Sequence, residues 1–354
     1  MRVHYDNIVF SLQKAGGIST YWSELISRLL RDETEVFFEE FTHDNIVRQT
    51  LSIKEETISF QHKKYLILER FTSLKLARHQ QPFIFHSSYH RMTSNPYALQ
   101  VSTVHDFVHE KFYKGLRRSL HLLQKNRMLK AADRIITVSE NTKKDLLEFH
   151  PGIPEENIKV IYNGVSADFY PLEPGQLASL KLDSDRPYIL FIGSREHYKN
   201  FSFTVNLLSE LPDFDLYIVG GKLSGAEKQN LMQQIPGRWR LFSHVGNQRL
   251  NELYNLAYTL IYPSQYEGFG IPLLEAMKAG TPFLALRSSS IPEVAGKAGL
   301  LLESADLELF KKTLLNVDVQ RNRLRALGFA QAAKFSWEHC YQQTLSLYKD
   351  LSRE

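Results

Sequence analysis

The sequence predicts two α/β domains, each built on a doubly wound parallel sheet with helices on both faces. Short apolar runs rich in Val, Ile, Leu and aromatic residues alternate with helix-like stretches along the whole chain. Near-continuous apolar strands of this kind are typical of parallel sheets that are buried on both faces. The runs fall into two series of about six, and the length of 354 residues suits two domains.

Twelve runs are predicted to be strands, six on each side of a turn-rich segment. The first series is HYDNIVF, EVFFEEF, PFIFHSS, ALQVSTV, DRIITVS and IKVIYNG, and the second is YILFIGS, DLYIVGG, RLFSHVG, TLIYPS, PFLALR and AGLLLE. Glycines and prolines cluster between the two series in YNGVSADFYPLEPGQL, residues 162–177, which indicates the domain boundary. The tail FSWEHCYQQTLSLYKDL, residues 335–351, has apolar residues near helical spacing and predicts a C-terminal helix that covers an apolar surface.

The composition limits the classes of function. With 43% hydrophobic and 23% charged residues the chain is typical of a globular protein, and a net charge of +4 is too small to indicate nucleic-acid binding. The single cysteine, Cys340, excludes internal disulfides and a cysteine-based metal site. The first ten residues show no signal-peptide pattern, and no apolar run is long enough to span a membrane. We therefore expect a cytoplasmic protein without a nucleic-acid partner.

In two-domain α/β proteins ligands bind at the carboxyl ends of the strands, so the sequence predicts a ligand site in a central cleft. The stretch YEGFGIPLLEAMKAGTP follows one predicted strand and combines a Gly-Phe-Gly turn with a helix start at Pro272 and a helix end at Gly280. A helix N-terminus of this kind favours an anion. We place Glu267 on the loop and Glu275 in the first helical turn, either as two solvated charges or as contacts to a ligand.

Two other strand ends carry candidate ligand contacts. In GSREHYKN, Arg195 and Lys199 follow a strand and could neutralise a diphosphate, although such a pair is often only surface charge. In QKAGGIST, Gly16 and Gly17 precede a helix that we expect to begin near Ser19. These glycines permit close approach of the backbone to a ligand, but they do not form the GxGxxG pattern of a dinucleotide site.

Histidines raise the question of a metal. His105 follows a buried-type strand in STVHDF, so we expect it to face the cleft, either as a structural histidine or as a contact to sugar hydroxyls. His86, His90 and His109 invite a zinc interpretation, which the lack of a cysteine ligand or an HExxH helix disfavours. The Asp-x-Asp patterns at 183–185 and 213–215 precede strands, so we interpret them as solvated turns. No metal or other cofactor is expected.

The segment KFYKGLRRSLHLLQKNRMLKAADR, residues 111–134, is strongly basic. It holds Lys or Arg at 111, 114, 117, 118, 125, 127, 130 and 134 against one acidic residue, Asp133. Its leucines and aromatic residues recur at partly helical spacing. A basic amphipathic stretch of this kind can rest on anionic lipid head groups, and the alternative is a solvated helix face.

Together these segments resemble the retaining glycosyltransferases of family 4, which have the GT-B fold, and the REHYKNF version resembles mannosyltransferase-like members. The matching segments are QKAGGIST, TVHDF, AADRIITVSENTKKDL, IPEENIKVIYNGVSADFYP, FIGSREHYKNF, YEGFGIPLLEAMKAGTP, SSIPEVAGKAGLLL and the FSWE tail. They occur in family order over nearly the whole chain. The resemblance implies an acceptor-binding domain over 1–168 with the C-terminal helix 336–354 crossing back to it, and a donor-binding domain over 169–335.

The resemblance also implies roles in binding a nucleotide-sugar donor. Glu267 would contact the hydroxyls of the transferred sugar and Glu275 the ribose, while Arg195 and Lys199 would contact the diphosphate. The remaining implied donor contacts are the backbone at Phe269, Gly270 and Ile271, the glycines Gly16 and Gly17, the base-binding backbone from Val245 to Leu250, and His105 near the reacting centre. Ser194 takes the place that an arginine often has in the family, which makes the assignment of Arg195 weaker than that of Lys199.

The expected reaction is metal-independent transfer of a hexose with retention of configuration, with mannose from GDP-mannose as the favoured donor. The acceptor is a glycan or a lipid-linked sugar in surface polysaccharide or glycolipid synthesis, and no acceptor-binding residue is assigned. The alternatives are a UDP-sugar donor, a phosphorylase or sucrose-synthase-like enzyme on the same fold, and a non-catalytic protein that binds sugar nucleotides. The expected location is the cytoplasm, with the basic segment on the inner face of the membrane as an additional contact.

Overall fold

The structure is a computed structural model that describes residues 1–61, 69–76, 78–180, 185–243 and 245–353. The chain forms two compact units, Met1–Gly164 with Trp337–Glu354, and Val165–Ser336. Val165–Asp168, which the sequence placed in the N-terminal domain, belong to the second unit. Two bonds explain this, since Lys278 Nζ donates to the Ser166 carbonyl at 2.9 Å and Asn247 Nδ2 donates to Asp168 at 2.7 Å.

All strand pairings are parallel among the described residues. The strands of the first unit are β1 Arg2–Asp6, β2 Glu35–Glu40, β3 Ile58–Phe60, β4 Phe83–Ser87, β5 Ala98–Val104, β6 Arg134–Thr137 and β7 Ile158–Val160. Those of the second unit are β8 Tyr188–Ile192, β9 Asp215–Val219, β10 Trp239–Phe242, β11 Thr259–Tyr262, β12 Phe283–Leu286 and β13 Leu300–Leu302.

The helices flank these strands in chain order. They are α1 Val9–Leu12, α2 Gly17–Arg31, α3 Val108–Phe112, α4 Gly115–Ala131, α5 Glu140–Phe149, α6 Pro174–Ser179, α7 Phe201–Ser209, α8 Gly225–Gln234, α9 Asn247–Leu256, α10 Ile271–Ala279, α11 Ile291–Ala295, α12 Leu307–Leu315, α13 Val317–Ala332 and α14 Trp337–Leu351. Short 3-10 helices occur at Arg48–Thr50, Glu55–Thr57, Glu155–Asn157 and His197–Lys199. Among the described helices, none is long and apolar enough to cross a membrane.

The strand order in the first unit is β3-β2-β1-β4-β5-β6-β7, and in the second it is β10-β9-β8-β11-β12-β13. In both sheets the chain winds outward from the first strand in one direction and then returns to continue in the other. This is the doubly wound arrangement that the sequence predicts. The topological switch points lie between β1 and β4 and between β8 and β11, where a doubly wound sheet typically binds ligands at the carboxyl ends of its strands.

Each of the twelve predicted runs overlaps an observed strand, because strands buried on both faces are encoded as continuous apolar sequence. The strands β4, β8 and β9 are buried at every position. The edge strand β3 was not predicted, since it has only three residues and leaves Phe60 55% exposed. Its short length and its exposed aromatic side chain give no buried-strand signal.

The C-terminal helix α14 packs within the first unit, as predicted. The Tyr348 hydroxyl lies 2.8 Å from the Tyr5 hydroxyl and 2.5 Å from His86 Nδ1, so it connects to β1 and β4 in the middle of the sheet. At the other end of the helix, Glu338 accepts bonds from Arg31 at 2.8 Å and 3.1 Å. The apolar spacing in the tail therefore marked a helix that closes one face of the N-terminal sheet.

Candidate active site

Lys199 and Glu267 form an ion pair at the topological switch point of the second unit. Lys199 lies after β8 and Glu267 after β11, and Nζ is 2.6 Å from Oε1 and 2.7 Å from Oε2 of the carboxylate. The two side chains are only 12% and 10% exposed. The sequence had left open whether Glu267 is a solvated surface charge, and its burial excludes that alternative.

The loops that carry this pair are joined by further bonds. Asn200, in the left-handed region at φ 54°, donates from Nδ2 to the Pro263 carbonyl at 2.8 Å. The backbone N–H of Gln265 donates to the Tyr198 carbonyl at 2.8 Å. The ammonium of Lys199 also lies 5.5 Å from the centre of the Tyr262 ring. The position of the ion pair is therefore fixed by both strand ends.

Three consecutive serines after β12 hold the loop around Glu267. Ser288 Oγ donates to the Ser264 carbonyl at 2.7 Å, and Ser289 Oγ accepts from the Glu267 N–H at 2.7 Å. The Ser290 hydroxyl lies 2.9 Å from the carbonyls of both Glu267 and Phe269. We call these residues the serine clasp. The sequence analysis missed its role, although SSIPEV is among the segments that carry the family resemblance.

Helix α10 begins one residue earlier than predicted. Its N-cap is Gly270, in the left-handed region at φ 106°, so Ile271 is the first helical residue and Pro272 the second. The helix ends at Gly280, with φ 80°, as predicted. Because the first backbone N–H groups of a helix have no intrahelical partner, this turn presents donors and the positive end of the helix dipole.

The earlier helix start changes the position of Glu275. Our expectation that it lies in the first turn was wrong, since it is the fifth helical residue and stands at the start of the second turn. Its carboxylate accepts a bond of 2.7 Å from the Tyr254 hydroxyl, whose oxygen also lies 3.2 Å from the Pro272 carbonyl. Burial raises the pKa of Glu275 to about 7, and the bond from Tyr254 opposes that shift. The sequence analysis did not identify Tyr254.

The Arg195 guanidinium donates its hydrogen bonds to residues of the second unit. Its Nε donates to Glu227 Oε1 at 2.8 Å, and Nη2 donates to the carbonyls of Gly221 at 3.0 Å and Lys222 at 2.7 Å. The Arg195 side chain is 7% exposed. The structure brings together Lys199, Glu267 and the start of α10, whereas it directs Arg195 toward the loop after β9.

The remaining predicted donor contact of the second unit is the backbone from Val245 to Leu250. Gly246 is the N-cap of α9, and the Leu250 N–H donates to its carbonyl at 2.9 Å. Val245 and Gly246 thus lie on the loop that precedes α9, after β10. Their assignment to the base of the nucleotide stays a prediction.

In the first unit, Gly16 and Gly17 lie at the start of α2. The helix begins at Gly17, two residues before the expected start near Ser19, whose hydroxyl donates to the Gly16 carbonyl at 2.9 Å. A Cβ on Gly16 would lie 2.3 Å from Gln13 Oε1, so a larger residue there would displace the flexible end of the Gln13 side chain. The contact of Gly16 and Gly17 to a diphosphate stays a prediction.

His105 follows β5 and is half-buried. Its ring packs against the edge of Tyr21, with ring centres 5.0 Å apart. Burial lowers the pKa of His105 to about 4, so the imidazole is neutral at physiological pH. Its Nε2 is buried and has no hydrogen-bond partner within the described part of the chain. A neutral ring with one unbonded nitrogen can donate to or accept from a sugar hydroxyl.

The metal alternatives gain no support from the geometry. His86 bonds to Tyr348 through Nδ1 and to Thr103 through Nε2, at 2.5 Å and 2.9 Å, so both ring nitrogens are used. Over the described ranges, no group of three His, Cys, Asp or Glu side chains could hold a metal ion. Asp215 is the first residue of β9 and therefore lies at the opposite end of the strand from the switch point. The other Asp-x-Asp pattern falls largely outside the described residues, since 183 and 184 are not among them.

The basic segment spans the end of α3 and the whole of α4, and its basic side chains do not all lie on the exposed face. Lys125 is 1% exposed and lies 2.9 Å from the equally buried Glu110 carboxylate. It therefore belongs to the interior and not to a lipid-facing surface, which corrects the expectation for this residue. The exposed side of α4 carries Leu116, Leu120 and Leu123, which are 74%, 43% and 54% exposed.

Two family models match consecutive parts of the chain. The model described as Glycosyltransferase Family 4 matches residues 15–169, and the model described as Glycosyl transferases group 1 matches residues 175–327. The chain is a family 4 glycosyltransferase. This confirms the resemblance on which the sequence analysis relied and identifies the protein as an enzyme of sugar transfer.

Similar proteins agree with this membership. O-antigen chain mannosyltransferase B of Escherichia coli is 27% identical over 375 residues, which cover 94% of this glycosyltransferase and 96% of the relative. The solved structure of sucrose-phosphate synthase from Thermosynechococcus elongatus matches with a TM-score of 0.79 at 18% identity, over 100% and 99% of the two chains. HepE from Anabaena, solved in complex with UDP-glucose, matches with a TM-score of 0.78 at 15% identity, over 99% and 100%. These structural matches confirm the predicted GT-B fold.

Proposed function

We propose that this glycosyltransferase moves mannose from GDP-mannose to a glycan or lipid-linked sugar, with retention of configuration, in surface polysaccharide or glycolipid synthesis. The observation that carries the proposal is the buried Lys199–Glu267 pair beside the N-terminus of α10, at the switch point of the second sheet. This arrangement offers positive charge and backbone donors to a diphosphate and a carboxylate to sugar hydroxyls. The match to O-antigen chain mannosyltransferase B over 94% of the chain supports mannose as the sugar.

Each part of the donor has a matching group in the second unit. Lys199 and the N–H groups at Gly270 and Ile271 suit the diphosphate, since each presents a donor to an anion. Glu267 suits hydroxyls of the transferred sugar, because a carboxylate has four acceptor positions and Lys199 occupies only part of them. Glu275 lies about one helical turn after the start of α10 and is the candidate acceptor for the two ribose hydroxyls.

The proposed reaction breaks the bond between the sugar C1 and a diphosphate oxygen. The oxygen of the acceptor hydroxyl forms the new bond to C1 on the same face, and its proton passes to the departing phosphate. Negative charge grows on that phosphate in the transition state, so the Lys199 ammonium and the helix dipole stabilise the transition state more than the ground state. These fixed charges make a metal ion unnecessary, and we expect full activity in excess EDTA.

A UDP-sugar donor is the principal alternative, and a similar solved structure, HepE, holds UDP-glucose. A phosphorylase or a sucrose-synthase-like enzyme is the second alternative, and sucrose-phosphate synthase is among the similar structures. A non-catalytic sugar-nucleotide binder is disfavoured, because an ion pair of low exposure at the switch point is costly to build unless it serves chemistry.

The deciding experiment is a thermal-shift panel with GDP, UDP, ADP and dTDP, followed by transfer assays with the matching sugar nucleotide. We expect GDP to give the largest stabilisation, since only a ligand of the native state raises the melting temperature. The anomeric configuration of the product, read by NMR, then tests retention. Stabilisation by UDP alone would move the proposal to a UDP-sugar, and activity that needs inorganic phosphate would indicate a phosphorylase. Activity lost in EDTA and restored by magnesium or manganese would contradict a metal-independent reaction.

We further propose that the exposed face of α4 rests on the inner face of an anionic membrane, which would place the enzyme near a lipid-linked acceptor. Leu116, Leu120 and Leu123 recur at spacings of four and three, and the same face continues to Arg127 and Lys130. Exposed leucines beside basic side chains bind to head groups and acyl chains together.

Vesicle co-sedimentation tests this membrane contact. Wild-type protein should bind vesicles that contain phosphatidylglycerol and release at high salt, while vesicles of phosphatidylcholine alone should bind little. Leu120→Ser with Leu123→Ser should reduce binding and leave donor turnover on a water-soluble acceptor unchanged. Equal binding of this double variant and the wild-type protein would contradict the membrane contact.

A further inference from the structure

The Arg195 guanidinium connects two loops and a helix start in the second unit. Arg195 lies after β8, its Nη2 donates to carbonyls of Gly221 and Lys222 after β9, and its Nε donates to Glu227 in the first turn of α8. Glu227 also accepts from the Ser224 N–H at 2.6 Å through Oε2, and its own N–H donates to Ser224 Oγ at 3.2 Å. The carboxylate therefore caps α8 and holds Arg195 at the same time.

The backbone around this contact is built to admit the guanidinium. A Cβ on Gly220 would lie 2.5 Å from the Gly193 carbonyl oxygen and 3.0 Å from Arg195 Nη1. Only glycine at this position permits the loops after β8 and β9 to approach so closely. Gly193 itself has φ 124°, in the left-handed region, so the chain turns sharply just before Arg195.

The geometry leaves Arg195 no exposed hydrogen-bond donor. Nε and Nη2 have partners, the side chain is 7% exposed, and Nη1 is buried without a hydrogen-bond partner in the described part of the chain. The Glu227 carboxylate neutralises its charge at 2.8 Å. The chain after β8 continues from Arg195 into the 3-10 helix His197–Lys199, so the contacts that fix Arg195 also fix the residues that lead to Lys199.

We propose that Arg195 and Glu227 form a latch that positions the loop bearing Lys199, in place of the direct contact between Arg195 and the diphosphate that the family resemblance implied. This inference rests on the proposed function, because it assumes that Lys199 meets the donor diphosphate. In the latch Arg195 acts through the backbone, and Glu227 is its necessary partner. Lys199 and the start of α10 then supply the positive charge for the diphosphate.

Variants of Glu227 distinguish a direct contact between Arg195 and the diphosphate from the latch, because the two roles predict different changes in nucleotide affinity. If Arg195 contacts the diphosphate, Glu227→Ala releases the guanidinium and leaves nucleoside diphosphate affinity equal or tighter. If the latch is right, Glu227→Ala and Arg195→Ala each weaken that affinity by about ten-fold, and the double variant is no weaker than either single one. Glu227→Gln keeps an oxygen for Arg195 Nε and should retain most of the affinity.

The measurement is isothermal titration of GDP and UDP into the wild type, the two alanine variants, the double variant and Glu227→Gln. Ser224→Ala is the matched control, since it removes the other half of the helix cap and leaves the Arg195–Glu227 contact in place; we expect lower thermal stability with unchanged affinity. Tighter binding by Glu227→Ala, or additive losses in the double variant, would overturn the latch.

Failure of the proposed function gives a different result, since then the wild type binds no nucleoside diphosphate. The latch is still tested in that case by unfolding the wild type, the two alanine variants and the double variant in urea. Coupled, non-additive losses of stability and faster hydrogen exchange at 220–224 in both alanine variants are expected. Additive losses with unchanged exchange would contradict it.

Discussion

Lys199 Nζ lies 2.6 Å from one carboxylate oxygen of Glu267 and 2.7 Å from the other, so a single ammonium is shared across one carboxylate. The two groups come from loops after neighbouring strands of the sheet, and both are mostly buried. The ion pair therefore limits which ligand atoms the Lys199 ammonium and the Glu267 carboxylate can bind. An incoming phosphate competes with Glu267 for the ammonium, while sugar hydroxyls use the remaining lone pairs of the carboxylate.

The first prediction concerns this shared charge. Glu267→Gln should lower turnover by about 100-fold, because it removes an interaction with the reacting sugar, while GDP affinity stays equal or becomes tighter as Lys199 is released. Lys199→Ala should weaken GDP binding by about ten-fold, since it removes a charge-assisted bond to the phosphate. Titration calorimetry and initial rates measure both effects. If both substitutions weaken GDP binding equally, the pair acts as one structural unit and the separate roles are wrong.

The second prediction is a pH dependence set by Glu275. Its pKa of about 7 means that the carboxyl group is protonated in part of the enzyme at neutral pH, and only the carboxylate can accept from both ribose hydroxyls. Nucleotide affinity should therefore be highest above pH 7 and fall by about ten-fold by pH 6. Glu275→Gln should bind more weakly at pH 8 and lose the dependence on pH.

The raised pKa of Glu275 also predicts how the free energy of unfolding depends on pH. The folded-state pKa lies above the ordinary value of 4.5, so the folded protein binds the proton more tightly than the unfolded chain does. The contribution of Glu275 to stability is complete below about pH 4.5 and is lost as the pH rises through about 7. Urea unfolding of the wild type and Glu275→Gln across this range measures the difference. A constant difference between the two proteins would show that the pKa of Glu275 is not raised.

The fold could be predicted from the sequence because both sheets are buried on both faces, which places a continuous apolar run at nearly every strand. The short edge strand β3 is not buried on both faces, so no continuous apolar run marks it. Lys199 and Glu267 were found because they follow strands, and Glu275 because it lies on the helix that follows the Gly-Phe-Gly turn, where local sequence is informative. Tyr254 and Glu227 were missed because each acts through a partner distant in sequence, and such a pairing depends on the packed loops and not on local spacing.

The third prediction concerns the serine clasp. The hydroxyl of Ser290 is buried and lies 2.9 Å from the carbonyls of Glu267 and Phe269, so Ser290→Ala removes the hydroxyl donor that these two carbonyls share. We expect a loss of about 1–3 kcal/mol in unfolding free energy and a lower turnover, because the loop that carries Glu267 loosens. Ser288→Ala is the comparison within the clasp, since its hydroxyl bonds to the Ser264 carbonyl, three residues before Glu267. Equal turnover in the two variants would show that the Ser290 hydroxyl has no specific part in positioning Glu267.

The fourth prediction separates the buried and exposed cations of α4. Lys125 lies 2.9 Å from Glu110, donates to the Asp106 carbonyl at 2.7 Å and stands 3.5 Å above the Phe107 ring. Lys125→Ala leaves the Glu110 carboxylate buried without its cation, which should cost about 3–5 kcal/mol of unfolding free energy. Lys130→Ala, on the exposed side of the same helix, should change it by less than about 0.5 kcal/mol. Adding Glu110→Gln to Lys125→Ala should recover part of the loss, since no unpaired charge then remains. Urea unfolding of the four proteins measures these differences, and a loss below about 1 kcal/mol for Lys125→Ala would show that Glu110 finds water or another partner.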